Sequence, residues 1–148
     1  MRVMALEKGV SLLELNKLAE KDASIDFELD NKLKELGKTK DNFVVDGRLT
    51  AFFIQHAEFK IFLDANDRVR AQRILKDKRG HEESKNLTAT IKNIKKREES
   101  EKRRYKKYYG VDYLDKRLYN FVIDTTNLNP FQVVGKIVKF VKTKQKSL

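Results

Sequence analysis

Apolar residues spaced three and four positions apart predict two helices in the first part of the chain. Ser11 and Glu14 have the spacing of a capping box, which opens the first helix. The second begins at Ser24 or Asp26, and Gly37 is suited to its C-terminal cap. Its apolar face consists of Ile25, Leu29, Leu33 and Leu36.

Three short runs of β-branched and aromatic residues, at 43–45, 59–63 and 121–124, have the character of buried strands. Helical segments separate them, since Asn66 can start one helix and a long polar helix covers about 87–108. Asn129 and Pro130 form an N-cap with proline at the first helical position of a last amphipathic helix. Strands that alternate with helices predict an α/β fold with a parallel sheet, whose ligands bind beyond the carboxyl ends of the strands.

The composition of the chain excludes several classes of protein and of site. The 148 residues suit one domain, and the absence of Cys excludes disulfides and thiolate chemistry. His56 and His81 have no metal-ligand spacing. No apolar stretch approaches the roughly 20 residues of a membrane span, and no secretory signal is recognisable, so we expect an intracellular, cytoplasmic protein.

The net charge of +11 is unevenly distributed. Residues 91–110 carry nine basic and three acidic side chains, and the tail from Pro130 carries five Lys and no acid. Such a field attracts nucleotides as well as RNA. Charge alone therefore leaves both a polymer-binding protein and an enzyme acting on phosphates open.

Two groups of residues are candidates for phosphate or nucleotide binding. Arg48 follows Gly47 at a predicted strand end, where its guanidinium fork suits a phosphate; a surface arginine after a turn is equally compatible. Arg97, Glu101 and Arg104 share one face of the long helix, where they either meet a nucleotide or form exposed ion pairs, and the spacing alone favours exposed pairs.

Three other features have simpler explanations. Residues 37–39 look like the end of a phosphate-binding loop, but the required upstream glycine is replaced by Lys32, so we interpret them as a helix end. Both histidines are expected to be solvated. The tyrosines at 105, 108, 109 and 113 could stack on bases, although packing of the long helix is the favoured explanation.

Taken in order, several motifs resemble cytidylate kinases, especially the short archaeal nucleoside monophosphate kinases. The matching segments are 22–30, 45–48, 60–65, 69–74, 97–105, 109–112 and 122–125. The resemblance implies a P-loop NTPase fold, with a three-layer parallel sheet flanked by helices. It implies one domain over 1–148, composed of monophosphate-binding helices (1–40), a core (41–80), a lid (81–112) and a C-terminal strand and helix (113–148).

The resemblance also implies roles for individual residues. Arg2 and Arg48 would bind the acceptor phosphate, and Arg97 and Arg104 of the lid helix would act in catalysis. Glu101 would contact substrate. Asp26 and Asp30 would lie in the segment that faces the nucleobase, and Asp26 would contribute to substrate binding. Bacterial relatives have an acid after the Gly-Arg turn where this chain has Leu49, which leaves UMP and AMP open beside CMP.

The implied substrates are CMP or dCMP and ATP with Mg²⁺. The family's first strand, glycine-rich loop and helix have no counterpart in this sequence, so we expect no phosphoryl transfer by the chain alone. An N-terminal fragment supplying that strand and loop, between the runs at 43–45 and 59–63, is one expected partner. The alternatives are a non-catalytic nucleotide- or RNA-binding module and a basic RNA-binding protein.

Overall fold

The computed structural model describes residues 1–77 and 86–146 as a helix-rich α/β structure. His81 and most of the segment between the fifth and sixth helices lie outside the described residues. In chain order the elements are α1 (Arg2–Glu7), α2 (Leu12–Lys21), α3 (Ser24–Thr39), α4 (Thr50–Phe53), β1 (Ile61–Asp64), α5 (Asp67–Lys76), α6 (Leu87–Tyr109), a 3₁₀ helix (Lys116–Leu118), β2 (Phe121–Asp124) and α7 (Pro130–Gln145).

The predicted helix starts are confirmed. The Ser11 and Glu14 side chains each accept a hydrogen bond from the other's backbone N–H, which completes the capping box of α2. The Asn66 side chain accepts from the N–H of Val69 at the start of α5. Asn129 and Gln132 form a second capping box before α7, with Pro130 at its first position.

The helix end predicted at Gly37 is wrong, because α3 continues to Thr39. A Cβ at Gly37 would lie 3.2 Å from the Ile54 side chain. The glycine therefore serves close packing of α3 against the segment after α4 rather than a left-handed cap. A left-handed glycine cap does end α6, at Gly110 with φ 69°.

The described sheet has two parallel strands, β1 and β2, in register from Ile61 opposite Phe121 to Asp64 opposite Asp124. The strand predicted at 43–45 is wrong: these residues form no strand, and Val44 is fully exposed. A strand needs a hydrogen-bonded neighbour, and β1 and β2 pair only with each other among the described elements. The structure thus shows a small parallel sheet within a helical framework.

Two apolar clusters hold the helices together. The first joins α1, α2 and α3 through Met4, Ala5, Leu15, Ala19 and Ile25. The second joins α6 to the segment around α4 and to the chain after α6, through Leu49, Tyr105, Val111 and Tyr113. Because Tyr105 and Tyr113 are buried there, packing is confirmed as their role. Helix α6 also packs along α2 and α5, so it contacts both halves of the described structure.

The Arg73 side chain on α5 forms hydrogen bonds with the loop that follows β2. Its guanidinium donates to the hydroxyl and the carbonyl oxygen of Thr125, at 2.9 and 2.6 Å, and to the carbonyl oxygen of Leu128 at 3.1 Å. The Thr125 hydroxyl in turn donates to the carbonyl oxygen of Asp64, at the end of β1. These bonds fix the carboxyl edge of the sheet, where a parallel sheet presents its ligand site.

The helices in the described ranges are all too short or too polar to cross a membrane.

Replacement of Arg73 by Lys tests this loop contact. An ammonium group is a single point donor and cannot reproduce three bonds in a fixed fork, so we expect the free energy of unfolding to fall by about 1 kcal/mol. Chemical denaturation measures the change. Arg68→Lys, at another exposed position of the same helix, is the matched control. Equal stabilities for the two variants would contradict a structural role of Arg73.

Candidate functional site

The Glu101 carboxylate is the centre of a cluster of polar side chains. Arg48 donates from Nε to Glu101 Oε2 at 2.9 Å, and the Tyr113 hydroxyl donates to the same oxygen at 3.0 Å. Arg97 Nε lies 3.7 Å from Glu101 Oε1. The Glu101 side chain is 5% exposed, whereas that of Arg48 is 42% exposed. One buried carboxylate thus holds a guanidinium group that still faces solvent.

Local sequence explains how Arg48 reaches this position. A Cβ at Gly47 would lie 2.8 Å from the Thr50 side chain, so any other residue would displace that side chain from the turn before α4. The Thr50 hydroxyl closes the turn by donating to the Gly47 carbonyl oxygen at 3.2 Å. Leu49 is buried in the aromatic cluster, which holds the backbone on one side of Arg48. Arg48 is therefore positioned by its immediate neighbours.

The charges of the cluster support one another. Burial would lower the pKa of Arg48, but the Glu101 carboxylate more than compensates, so the pKa is raised and the guanidinium stays charged. Burial, together with the Glu101 charge, raises the pKa of Tyr113, so its hydroxyl stays protonated and continues to donate. The arrangement is a stable cationic group able to bind a phosphate or a carboxylate.

Arg104 lies on the same helix face as Glu101 but turns to a different partner. Its Nε donates to Asp26 Oδ2 at 2.7 Å, and Nη1 donates to the Ser100 hydroxyl at 2.7 Å. Weaker bonds at 3.3 Å reach the backbone and side-chain oxygens of Asn16. The Arg104 and Asp26 side chains are 2% and 3% exposed. In this conformation the pair fastens α6 to α2 and α3.

The interpretation of this helix face as an exposed row of ion pairs is wrong. Glu101 and Arg104 are buried, and the Arg97 side chain is 12% exposed. The face is covered because α6 packs along α2, which spacing within α6 alone cannot reveal. Burial also raises the pKa of Asp26, against the opposing effect of Arg104. The structure therefore brings Arg48, Arg97 and Glu101 together and places Arg104 with Asp26.

The two remaining residues of the predicted base and phosphate sites lie on α3 and α1. The buried Asp30, one turn after Asp26, accepts a hydrogen bond from the Tyr109 hydroxyl. Burial raises the pKa of Asp30 to about 6. Arg2 is exposed at the first position of α1, a helix that packs on α2. His56 lies exposed in a turn, as expected of a solvated histidine.

Sequence reasoning did not identify the side chains that position the charged groups. Tyr113 orients Glu101, and Asn16 and Ser100 complete the surroundings of Arg104. Ser100 is four residues before Arg104, so helical spacing could have indicated it. Asn16 and Tyr113 lie on other elements, and no local pattern signals their contacts.

The described residues do not by themselves fit a magnesium-bound triphosphate. They contain no group of three or more His, Cys, Asp or Glu side chains placed to hold a metal. Nor do they form a glycine-rich turn of backbone N–H groups in front of a helix: Gly37 lies within α3, Gly110 ends α6, and Gly9 and Gly47 are single glycines before α2 and α4.

Removal of one partner tests the buried pair. Asp26→Ala leaves the Arg104 charge buried without its carboxylate, so we expect the free energy of unfolding to fall by about 3–5 kcal/mol. Glu28→Ala removes the partner of Lys32 on the exposed side of α3, and we expect it to cost far less stability than Asp26→Ala. Urea denaturation of both variants measures the difference. Similar losses in the free energy of unfolding would mean that the Asp26–Arg104 pair stabilises the fold no more than an exposed ion pair does.

A family model and several similar proteins indicate the same family. The family model of cytidylate kinase matches residues 12–143. A cytidylate kinase of Methanobrevibacter smithii is 38% identical over 141 residues, which cover 95% of this chain and 78% of the relative. Those of Archaeoglobus fulgidus and Natronomonas pharaonis are 35% and 37% identical, over 97% and 87% of this chain and 77% and 65% of their own lengths. No solved structure gives a significant match. The chain belongs to the cytidylate kinase family.

Proposed function

We propose that this chain is a nucleoside monophosphate kinase for which CMP or dCMP is the acceptor and ATP the donor. Family membership supports a kinase with a P-loop NTPase fold, and the parallel β1–β2 pair agrees with it. A three-layer sheet is the finer form that we propose for that fold. The observation that carries the assignment is Arg48, a half-exposed guanidinium fixed by a buried carboxylate of the long helix.

The reaction needs the acceptor phosphate held against the donor. An oxygen of the CMP phosphate attacks the γ-phosphorus of ATP in line, the bond from that phosphorus to the bridging oxygen breaks, and ADP leaves. This transfer depends on positioning and charge stabilisation rather than on a covalent protein intermediate. Arg48 supplies a bidentate donor for the acceptor phosphate, and Arg2 is proposed as a second one.

The lid residues have separate proposed roles. Arg97 and Arg104 are proposed to stabilise the transferring phosphoryl group when α6 closes over it and excludes water. Arg97 lies beside Glu101, the carboxylate that holds Arg48, so it is already near the proposed phosphate position. Arg104 is bonded to Asp26, so its proposed role requires that pair to open. Glu101 holds Arg48 in place and is proposed to contact the ribose as well.

The chain spans 65–80% of the lengths of the relatives named cytidylate kinase that it matches. Residues outside this sequence, such as an N-terminal fragment, are proposed to supply the loop that holds the ATP phosphates. Binding of CMP is therefore a sharper measurement than phosphoryl transfer, because the residues proposed to hold the acceptor phosphate, Arg48 and Arg2, belong to this chain.

Arg48→Ala tests the proposal. Loss of a charged bidentate donor is expected to weaken CMP binding about 10- to 100-fold, as measured by calorimetric titration. Lys144→Ala, in the basic tail, is the control and should leave CMP affinity unchanged. Equal loss of RNA binding in both variants, without any CMP binding by the parent chain, would overturn the kinase assignment in favour of a basic RNA-binding protein.

A further inference from the structure

The way in which α6 ends places the hydroxyl group of Tyr113 beside Glu101. Gly110 adopts the left-handed conformation, with φ 69°, and its N–H donates to a carbonyl oxygen one turn earlier. The following residues run back along α6, since Asp112 pairs with Lys102 at 2.9 Å. The Tyr113 hydroxyl thereby reaches the side chain of a residue 12 positions earlier in the sequence.

Packing and hydrogen bonding fix the position of the Tyr113 side chain. It is 4% exposed, and its ring lies edge-on to that of Tyr105, with 5.5 Å between the two centroids. Leu49 packs in the same cluster. The Tyr119 hydroxyl donates to the Tyr113 carbonyl oxygen at 2.8 Å, which fixes the backbone as well. The Tyr113 hydroxyl is therefore presented from a rigid position.

The two oxygens of the Glu101 carboxylate are used differently. Oε2 accepts from the Tyr113 hydroxyl at 3.0 Å and from Arg48 Nε at 2.9 Å, whereas Oε1 lies 3.7 Å from Arg97 Nε. Within the described structure the carboxylate thus bonds Arg48 through one nitrogen alone. Arginine–carboxylate pairs are frequently bidentate, whereas this one is not. The single bond leaves Nη1 and Nη2 of a half-exposed guanidinium group for an anion.

The Tyr113 hydroxyl accounts for this single bond. The last torsion angle of a glutamate side chain is soft, so a carboxylate with one partner rotates easily. A hydrogen bond from a rigid hydroxyl fixes Oε2 and restrains that rotation. Without it, both oxygens of Glu101 can turn to the Arg48 fork and pair with Nε and a terminal nitrogen together. The carboxylate would then compete with a phosphate for the same donors.

We propose that Tyr113 is a positioning residue for the acceptor phosphate, because its hydroxyl holds the Glu101 carboxylate in the orientation that leaves the terminal nitrogens of Arg48 open. This inference rests on the proposed function. A buried hydroxyl needs a hydrogen-bond partner in any case, so a purely structural bond is the alternative. The two differ in one respect, since a positioning residue affects CMP binding only through Arg48.

Calorimetric titration of CMP into the Tyr113→Phe variant tests the proposal. The phenyl ring keeps the packing against Tyr105 and only the hydroxyl is removed, so we expect CMP to bind about 3- to 10-fold more weakly. Tyr108→Phe is the matched control, since it removes a hydroxyl that donates to the Ala19 carbonyl oxygen. It should leave CMP affinity unchanged. Thermal unfolding verifies that both variants are folded.

The same substitution in the Arg48→Ala background separates positioning from structure. Where Arg48 is already absent, loss of the Tyr113 hydroxyl should change CMP affinity less than about twofold, because the two effects are coupled. An equal loss in both backgrounds would show that Tyr113 stabilises the site without positioning Arg48. Unchanged CMP affinity in Tyr113→Phe itself would also contradict the positioning role.

Nitrogen-15 NMR of the arginine side chains tests the mechanism in the ligand-free chain. A guanidinium group held by two bonds to one carboxylate rotates more slowly than one held by a single bond, so its NH₂ signals separate. We expect the Arg48 signals, identified by their loss in Arg48→Ala, to be averaged in the parent chain and separated in Tyr113→Phe. Identical Arg48 signals in these two chains would overturn this inference alone. A parent chain that binds no CMP would overturn the proposed function and this inference together.

Discussion

The buried pair between Arg104 and Asp26 determines where the long helix α6 can lie. The buried residues of α6 are mostly polar, with Ile94 and Tyr105 as the hydrophobic exceptions. Apolar contacts tolerate sliding, whereas hydrogen bonds between a guanidinium fork and a carboxylate fix both rotation and position along the axis. The register of α6 on α2 and α3 therefore depends on a few directional contacts. The position of Glu101, one turn earlier, depends on that register too.

The buried charged groups are paired with partners, whereas the excess positive charge lies at the surface. The buried acids Asp26 and Glu101 are each bonded to a guanidinium group and the buried Asp30 to the Tyr109 hydroxyl, while the excess of Lys on α6 and α7 lies at the surface. The interior is thus close to neutral, and the net charge of +11 acts mainly at the surface. Such a surface draws in anionic nucleotides over a distance, whereas selection depends on the few groups that are held rigidly.

The local features of the fold could be predicted from the sequence, because capping boxes, a proline at a helix start and short β-branched runs act within a few residues. The errors concern contacts between distant segments. Glycine is common at helix ends, but within α3 the small size of Gly37 lets Ile54 pack closely against the helix. Residues 43–45 have strand composition, but composition does not supply a pairing neighbour. In the site, helical spacing places Arg97 and Glu101 on one face but does not reveal that the face is buried, and the pairing of Arg104 with Asp26 joins residues 78 positions apart.

Because α6 is long and is fixed near one end, a small tilt moves its other end by several ångströms. The helix has 23 residues, and Arg104 holds it near its C-terminal end, so the first turn at Leu87 lies about 25 Å away along the axis. A tilt of about 10° around that point displaces the first turn by about 4 Å. Exposed and half-buried ion pairs with α5, from Glu98 to Arg70 and from Lys95 to Asp67, are the contacts that such a tilt must stretch. The same tilt would also disturb the packing of the buried Thr90 and Ile94, so α6 resists tilting over most of its length.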